Sequence, residues 1–171
     1  MPISSYVVIP EVTNNLIVKN PKTVLDVGIG NGLYGCIVKN YLPSSHIVGI
    51  EGFKSYDNPM WLLYDEVITE KAPEAFKNIN KKFDAIIMCD VIEHFEEEEG
   101  LNVVEDLKKM LNKDGILIIT TPSIFCKQGA VNGNRLEIHR SLWEAIPEFK
   151  ALRESGPDEY KHYMQIFIYT R

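Results

Sequence analysis

The stretch VLDVGIGNGLYG, residues 24–35, decides how the chain folds. An apolar run enters it, and Gly28, Gly30 and Gly32 break that run. The spacing of Leu33, Cys36, Ile37 and Tyr41 then turns helical until Pro43. A strand, a glycine turn and a helix in succession set the free N–H groups of a helix start beside backbone with no Cβ to hold a ligand away.

Glycine turns of this kind serve several ligands, and single residues separate them. A dinucleotide fingerprint, GxGxxG or GxGxxA, accepts Gly28 and Gly30 but meets Leu33 where close helix–strand packing needs a small residue. A P-loop ends in Gly-Lys-Ser/Thr, and no lysine follows these glycines. What remains is GxGxG with Asp26 two residues ahead. A carboxylate there repels a pyrophosphate and suits a cationic ligand group. A second acid, Glu51, ends the next apolar run in GIEGF, where it can accept hydrogen bonds from both hydroxyls of a ribose.

Outward from this motif, apolar runs alternate with helical patterns. Strands are predicted at residues 23–27, 46–50, 66–68, 83–89 and 115–120, with helices at 33–41, 73–79 and from the acidic run 96–99 to about Leu111. The acids at 96–99 suit the positive end of a helix dipole. Residues 123–138 read as a long loop of the functional kind, followed by a helix at 141–146, a strand at 149–153, a turn at Gly156 and Pro157, and a closing strand at 163–169. The expected fold is α/β, a doubly wound, Rossmann-like and mostly parallel seven-stranded sheet with an antiparallel last strand and helices on both faces. Residues 1–171 read as a single domain.

Composition narrows the functional classes. A net charge of -6 argues against a nucleic-acid partner, which usually demands a basic face. No apolar run reaches membrane-span length and no secretory leader is visible, so neither a membrane partner nor export is expected, and the expected compartment is the cytoplasm. Cys36, Cys89 and Cys126 are too scattered for a zinc site or a disulfide framework. Trp61 and Trp143 read as core residues.

The segments VLDVGIGNG, GIEGF, FDAIIMCDVIEHF and GILIITTP, in that order, resemble the class I S-adenosylmethionine-dependent methyltransferases over residues 24–122. DVIEHF with the trailing TTP is most similar to the small-molecule branch that includes ubiquinone-biosynthesis-type enzymes. The resemblance implies S-adenosylmethionine as cofactor. Gly28, Gly30, Asn31 and Gly32 would line its methionine half with Asp26 near the amino group. Glu51 and Gly52 would hold the ribose, and Phe53 would lie against the adenine. Glu70 stands where the family usually has Asp preceded by Gly, and would read the adenine amino group. Asp90 and Val91 would sit under the methyl donor.

His94 is the catalytic candidate, as a general base on the acceptor or as a residue that shapes the loop. A third reading is that Glu93 and His94, with another acid, hold a divalent metal that lowers the pKa of a hydroxyl substrate. Two adjacent ligand types are a thin basis for it, and no metal is expected. His139 and Arg140 contact substrate or start a helix. The expected activity is methyl transfer to a small molecule. A protein or RNA acceptor and a non-catalytic cofactor-binding subunit are the alternatives, and a homo-oligomer is allowed.

Overall fold

The computed structural model describes residues 5–153 and 163–171. The turn expected at Gly156 and Pro157 lies outside them. Seven strands form one sheet: β1 (Thr23–Val27), β2 (His46–Ile50), β3 (Glu66–Ile68), β4 (Phe83–Cys89), β5 (Leu111–Pro122), β6 (Lys150–Arg153) and β7 (Met164–Thr170), in the spatial order β3-β2-β1-β4-β5-β7-β6. Strands β1 to β5 run parallel, and β7 pairs antiparallel with both β5 and β6. The expected topology therefore holds, including the antiparallel last strand.

Strand alternation divides the core in two. On β1, Val24 points to one face while Leu25 and Val27 point to the other, and all three are buried. The first face is covered by α1 (Ile9–Lys19) and α2 (Leu33–Tyr41) through Val12, Leu16, Tyr34 and Val38. The second is covered by α3 (Glu97–Met110) through Val103, Val104 and Leu107.

Helix α1 is an addition to the sequence reading. Its signals are local: Pro10 in the first turn with Glu11, Val12 and Leu16 one turn apart, Lys19 in the last turn, and Asn20 as a left-handed cap at φ 49° whose N–H returns to Leu16 O.

Two expected helices differ. Residues 73–79 form only a 3₁₀ turn, Glu74–Asn78. Residues 141–146 form no helix. Trp143 and Ile146, whose spacing mimics a helix face, instead insert singly into the α3 side of the core. The Trp143 ring packs where Gly100 of α3 has no Cβ, and its Nε1–H donates to Ile92 O (3.2 Å) and Ser141 Oγ (2.8 Å). A six-residue helix running into Pro147 is marginal, and docking the indole outweighs its propensity.

The strand order reverses between β1 and β4, whose carboxyl ends flank a crevice, as open α/β sheets do where they bind ligands.

Candidate functional site

At the carboxyl end of β1 the chain makes three left-handed turns, with φ of 79° at Gly28, 50° at Gly30 and 87° at Gly32. Glycine is required at Gly28 for a second reason. A Cβ there would lie 2.4 Å from Val91 Cγ2. The turn is bolted to its neighbours by hydrogen bonds. The N–H groups of Gly28 and Ile29 donate to Ile50 O, that of Gly30 donates to Glu51 Oε2 (2.9 Å), and Gly30 O accepts from Trp61 Nε1 (2.8 Å). Trp61 is a core residue, as expected, and also a brace for this turn.

Glu51 is buried, and its other oxygen accepts the N–H of Phe53 at 2.8 Å. Burial pushes its carboxyl above the usual range, and these backbone N–H groups oppose that shift. Asp90, at the end of β4, has φ 55°, a left-handed conformation that costs a non-glycine residue energy. Its carboxylate is spanned by Thr120 Oγ1 (2.8 Å) on one oxygen and the Ser5 N–H (2.8 Å) on the other.

A cavity of about 260 Å³ opens between these strand ends. Gly28, Glu51, Gly52, Asp90, Val91 and His94 line it, six of the twelve expected site residues. Asn31 and Phe53 line a neighbouring cavity of about 710 Å³, where Phe53 packs edge-on to Tyr56 at 4.9 Å. Glu70 lies outside both linings. Its carboxylate accepts the Asn78 amide at 2.8 Å, and Lys71 and Ala72 line the first cavity in its stead.

Asp26, Gly30 and Gly32 line neither cavity, and Asp26 lies in the core. It is 2% exposed and points away from the cavity, where Tyr64 donates its hydroxyl to Asp26 Oδ2 at 2.6 Å and accepts the Gly35 N–H at 3.0 Å. Burial, opposed by the Tyr64 hydroxyl and reinforced by the Glu51 charge, raises the Asp26 carboxyl to about 7. The sequence pattern alone does not single out Tyr64. Its ring occupies the space where Gly35 and Gly49 lack side chains, and those two glycines were the available signal.

The chain matches the family model described as "Methyltransferase domain" over residues 7–161. It belongs to that methyltransferase family. No curated protein matches it. Among solved structures, an O-methyltransferase family protein from Burkholderia thailandensis is similar at 15% identity and a TM-score of 0.69, with 94% of this chain and 54% of that one covered. The O-methyltransferase from Bacillus cereus in complex with S-adenosylhomocysteine is similar at 15% identity and 0.66, covering 99% and 83%. The N-methyltransferase NodS from Bradyrhizobium japonicum is similar at 11% and 0.61, covering 95% of each chain. This methyltransferase domain thus spans little more than half of the Burkholderia protein and nearly all of NodS. These likenesses establish the fold.

In this methyltransferase domain the long loop after β5 closes over the cavity. Asn134, Leu136, Glu137 and Arg140 line it, and Leu136 Cδ1 lies 2.7 Å from where a Cβ on Gly52 would stand. Tyr56 anchors the loop by donating its hydroxyl to Glu137 Oε1 (2.8 Å) and accepting from the Asn134 amide (3.2 Å). His94 is half-buried and packs against this loop, its ring 4.9 Å from that of His139. Burial and the neighbouring His139 hold its imidazole below the ordinary value.

Proposed function

We propose that the chain transfers a methyl group from S-adenosylmethionine to a nucleophilic atom of a small molecule, as the branch resembled by DVIEHF and TTP would imply. The observation that carries this reading is the cavity itself. A glycine turn, the Glu51 carboxylate and the Asp90–Val91 strand end converge on it from β1, β2 and β4, and His94 lines it as well. Glu51 keeps lone pairs for the ribose while two backbone N–H groups orient it. The sulfonium is already activated, so the protein chiefly aligns donor and acceptor for in-line attack. Gly28 lacks a Cβ where the Val91 side chain packs, and the two together line the wall against which the methionine half would lie. The loop bearing Leu136 and Glu137 limits the acceptor to what fits beneath it, and the -6 charge favours a small molecule over a nucleic acid. Three free cysteines accord with a cytoplasmic setting. No helix among the described residues is long and apolar enough to cross a membrane.

Titration with S-adenosylhomocysteine tests the reading. At a hundredfold excess over its dissociation constant it should add roughly 2.7 kcal/mol of stability, seen as a higher melting temperature, while NAD and ATP add none. Glu51→Ala should stay folded and bind about tenfold or more weaker by calorimetry, since a hydrogen bond to a charged group is worth about 1.5–3 kcal/mol. Stabilisation by NAD alone, or unchanged affinity in the folded variant, would overturn it. A methyl-transfer screen over small hydroxyl compounds, peptides and RNA then identifies the acceptor.

A further inference from the structure

Beside the cavity, Glu93, His94 and His139 each bring one ligand atom into a cluster in which all three lie within 4.8 Å of one another. Two residues come from the turn after β4 and the third from the loop after β5, so packing alone unites them. A carboxylate and two imidazoles form a donor set suited to first-row divalent cations.

Two independent features of the surroundings point to a cation. Glu93 is only 3% exposed, and no lysine or arginine among the described residues pairs with its carboxylate. Thr121 Oγ1 donates to Oε2 at 3.2 Å, whereas the charged side chains acting on Glu93 are the carboxylates of Asp90 and Glu137. A buried carboxylate without a cationic partner is costly, and it is relieved either by taking up a proton or by binding a metal ion. The nearby Arg140 guanidinium is occupied by the carbonyls of His94 and Ile138.

The second feature is the orientation of the two rings. His139 Nδ1 lies 2.7 Å from Cys126 O, and His94 Nδ1 lies 3.4 Å from Ile138 O. A carbonyl oxygen only accepts, so each ring places its proton on Nδ1 and its lone pair on Nε2. Backbone carbonyls hold metal-bound imidazoles in this way. Ligand atoms about 2.1 Å from a common ion lie about 3–4 Å apart, so small rotations of the side chains complete the site.

We propose that Glu93, His94 and His139 bind a divalent cation such as Mn2+ or Zn2+, leaving coordination positions open toward the cavity for the acceptor hydroxyl. The catalytic part of this proposal rests on the cavity being the methyl-donor site, whereas the binding part does not. The cation lowers the pKa of the coordinated hydroxyl. Its oxygen then attacks the methyl carbon, the C–S bond breaks with its electron pair left on sulfur, and the hydroxyl proton passes to solvent. His94 acts as a ligand, and the cation takes the place of a general base.

The test is calorimetry and Mn2+ electron paramagnetic resonance on the full chain, stripped with chelator and without methyl donor. One Mn2+ or Zn2+ per chain is expected, with affinity reduced at least tenfold in His139→Ala and in Glu93→Gln. The folded state of each variant is checked by its affinity for S-adenosylhomocysteine, and His94→Gln replaces any variant that fails to fold. Stoichiometric binding lost in the variants, with S-adenosylhomocysteine affinity kept, supports the site. No binding of either ion, or equal binding by parent and variants, overturns it. Cation binding in a chain that ignores S-adenosylhomocysteine would retain the metal site and overturn the methyl-donor reading instead.

Discussion

Asp26→Asn offers a sharp test of how burial sets the electrostatics under the glycine turn. In the folded chain the Asp26 carboxyl sits at about 7 against an ordinary value of 3.8, chiefly because it is buried. Because the folded-state value is raised, the group favours folding fully below 3.8, and that contribution disappears as pH climbs through about 7. A carboxyl displaced this far weakens the parent by something on the order of 4 kcal/mol across the window. Asparagine is neutral throughout and keeps a carbonyl for the Tyr64 hydroxyl that Asp26 accepts at 2.6 Å. Other titrating groups are common to both proteins and cancel in the difference, except for the smaller coupling between Asp26 and Glu51. Any fixed penalty of the new amide displaces the difference without tilting it. Melting curves at a series of pH values should therefore diverge, the variant gaining on the parent from about pH 4 to about pH 7 and holding its gain above. At roughly 2–4 °C per kcal/mol for a chain of this size, the relative gain is about 8–16 °C. A difference that stays constant across the window would refute the reasoning and show that Asp26 is ionised or solvated in the folded chain.

Gly28→Ala should lower stability by more than the roughly 1–2 kcal/mol of a left-handed alanine, because its Cβ also meets Val91 Cγ2 at 2.4 Å. Adding Val91→Ala should restore the part due to the contact and leave the rest, as urea midpoints of the two variants will tell. Tyr64→Phe removes a hydroxyl that serves both Asp26 and the Gly35 N–H, and should cost about 1–3 kcal/mol for each buried group left without a partner. An unchanged urea midpoint would mean that water replaces the hydroxyl.

Local pattern determined much of this molecule. The apolar runs at Thr23–Val27, His46–Ile50, Glu66–Ile68 and Phe83–Cys89 are strands within those bounds, since β-branched and aliphatic runs bounded by turn residues have few other uses in an alternating α/β chain. The succession of Gly28, Gly30 and Gly32 was legible because left-handed backbone has a nearly unique residue requirement. The signals for α1 were also in the sequence, in Pro10, Val12, Leu16 and Asn20.

Tertiary structure decided the rest. Asp26 lies on the same side of β1 as Val24, which turns it into the core between α2 and β2, and only there does Tyr64 reach it. Trp143 and Ile146 keep a helical spacing yet dock singly against α3, because burying an indole over Gly100 outweighs the propensity of a short segment ending at Pro147. Glu93 and His139 stand far apart in sequence, and the loop anchored by Tyr56 brings them together. Spacing along a chain encodes which face a residue takes within its own helix or strand. Which residues of two separate segments share a site is set by how those segments pack.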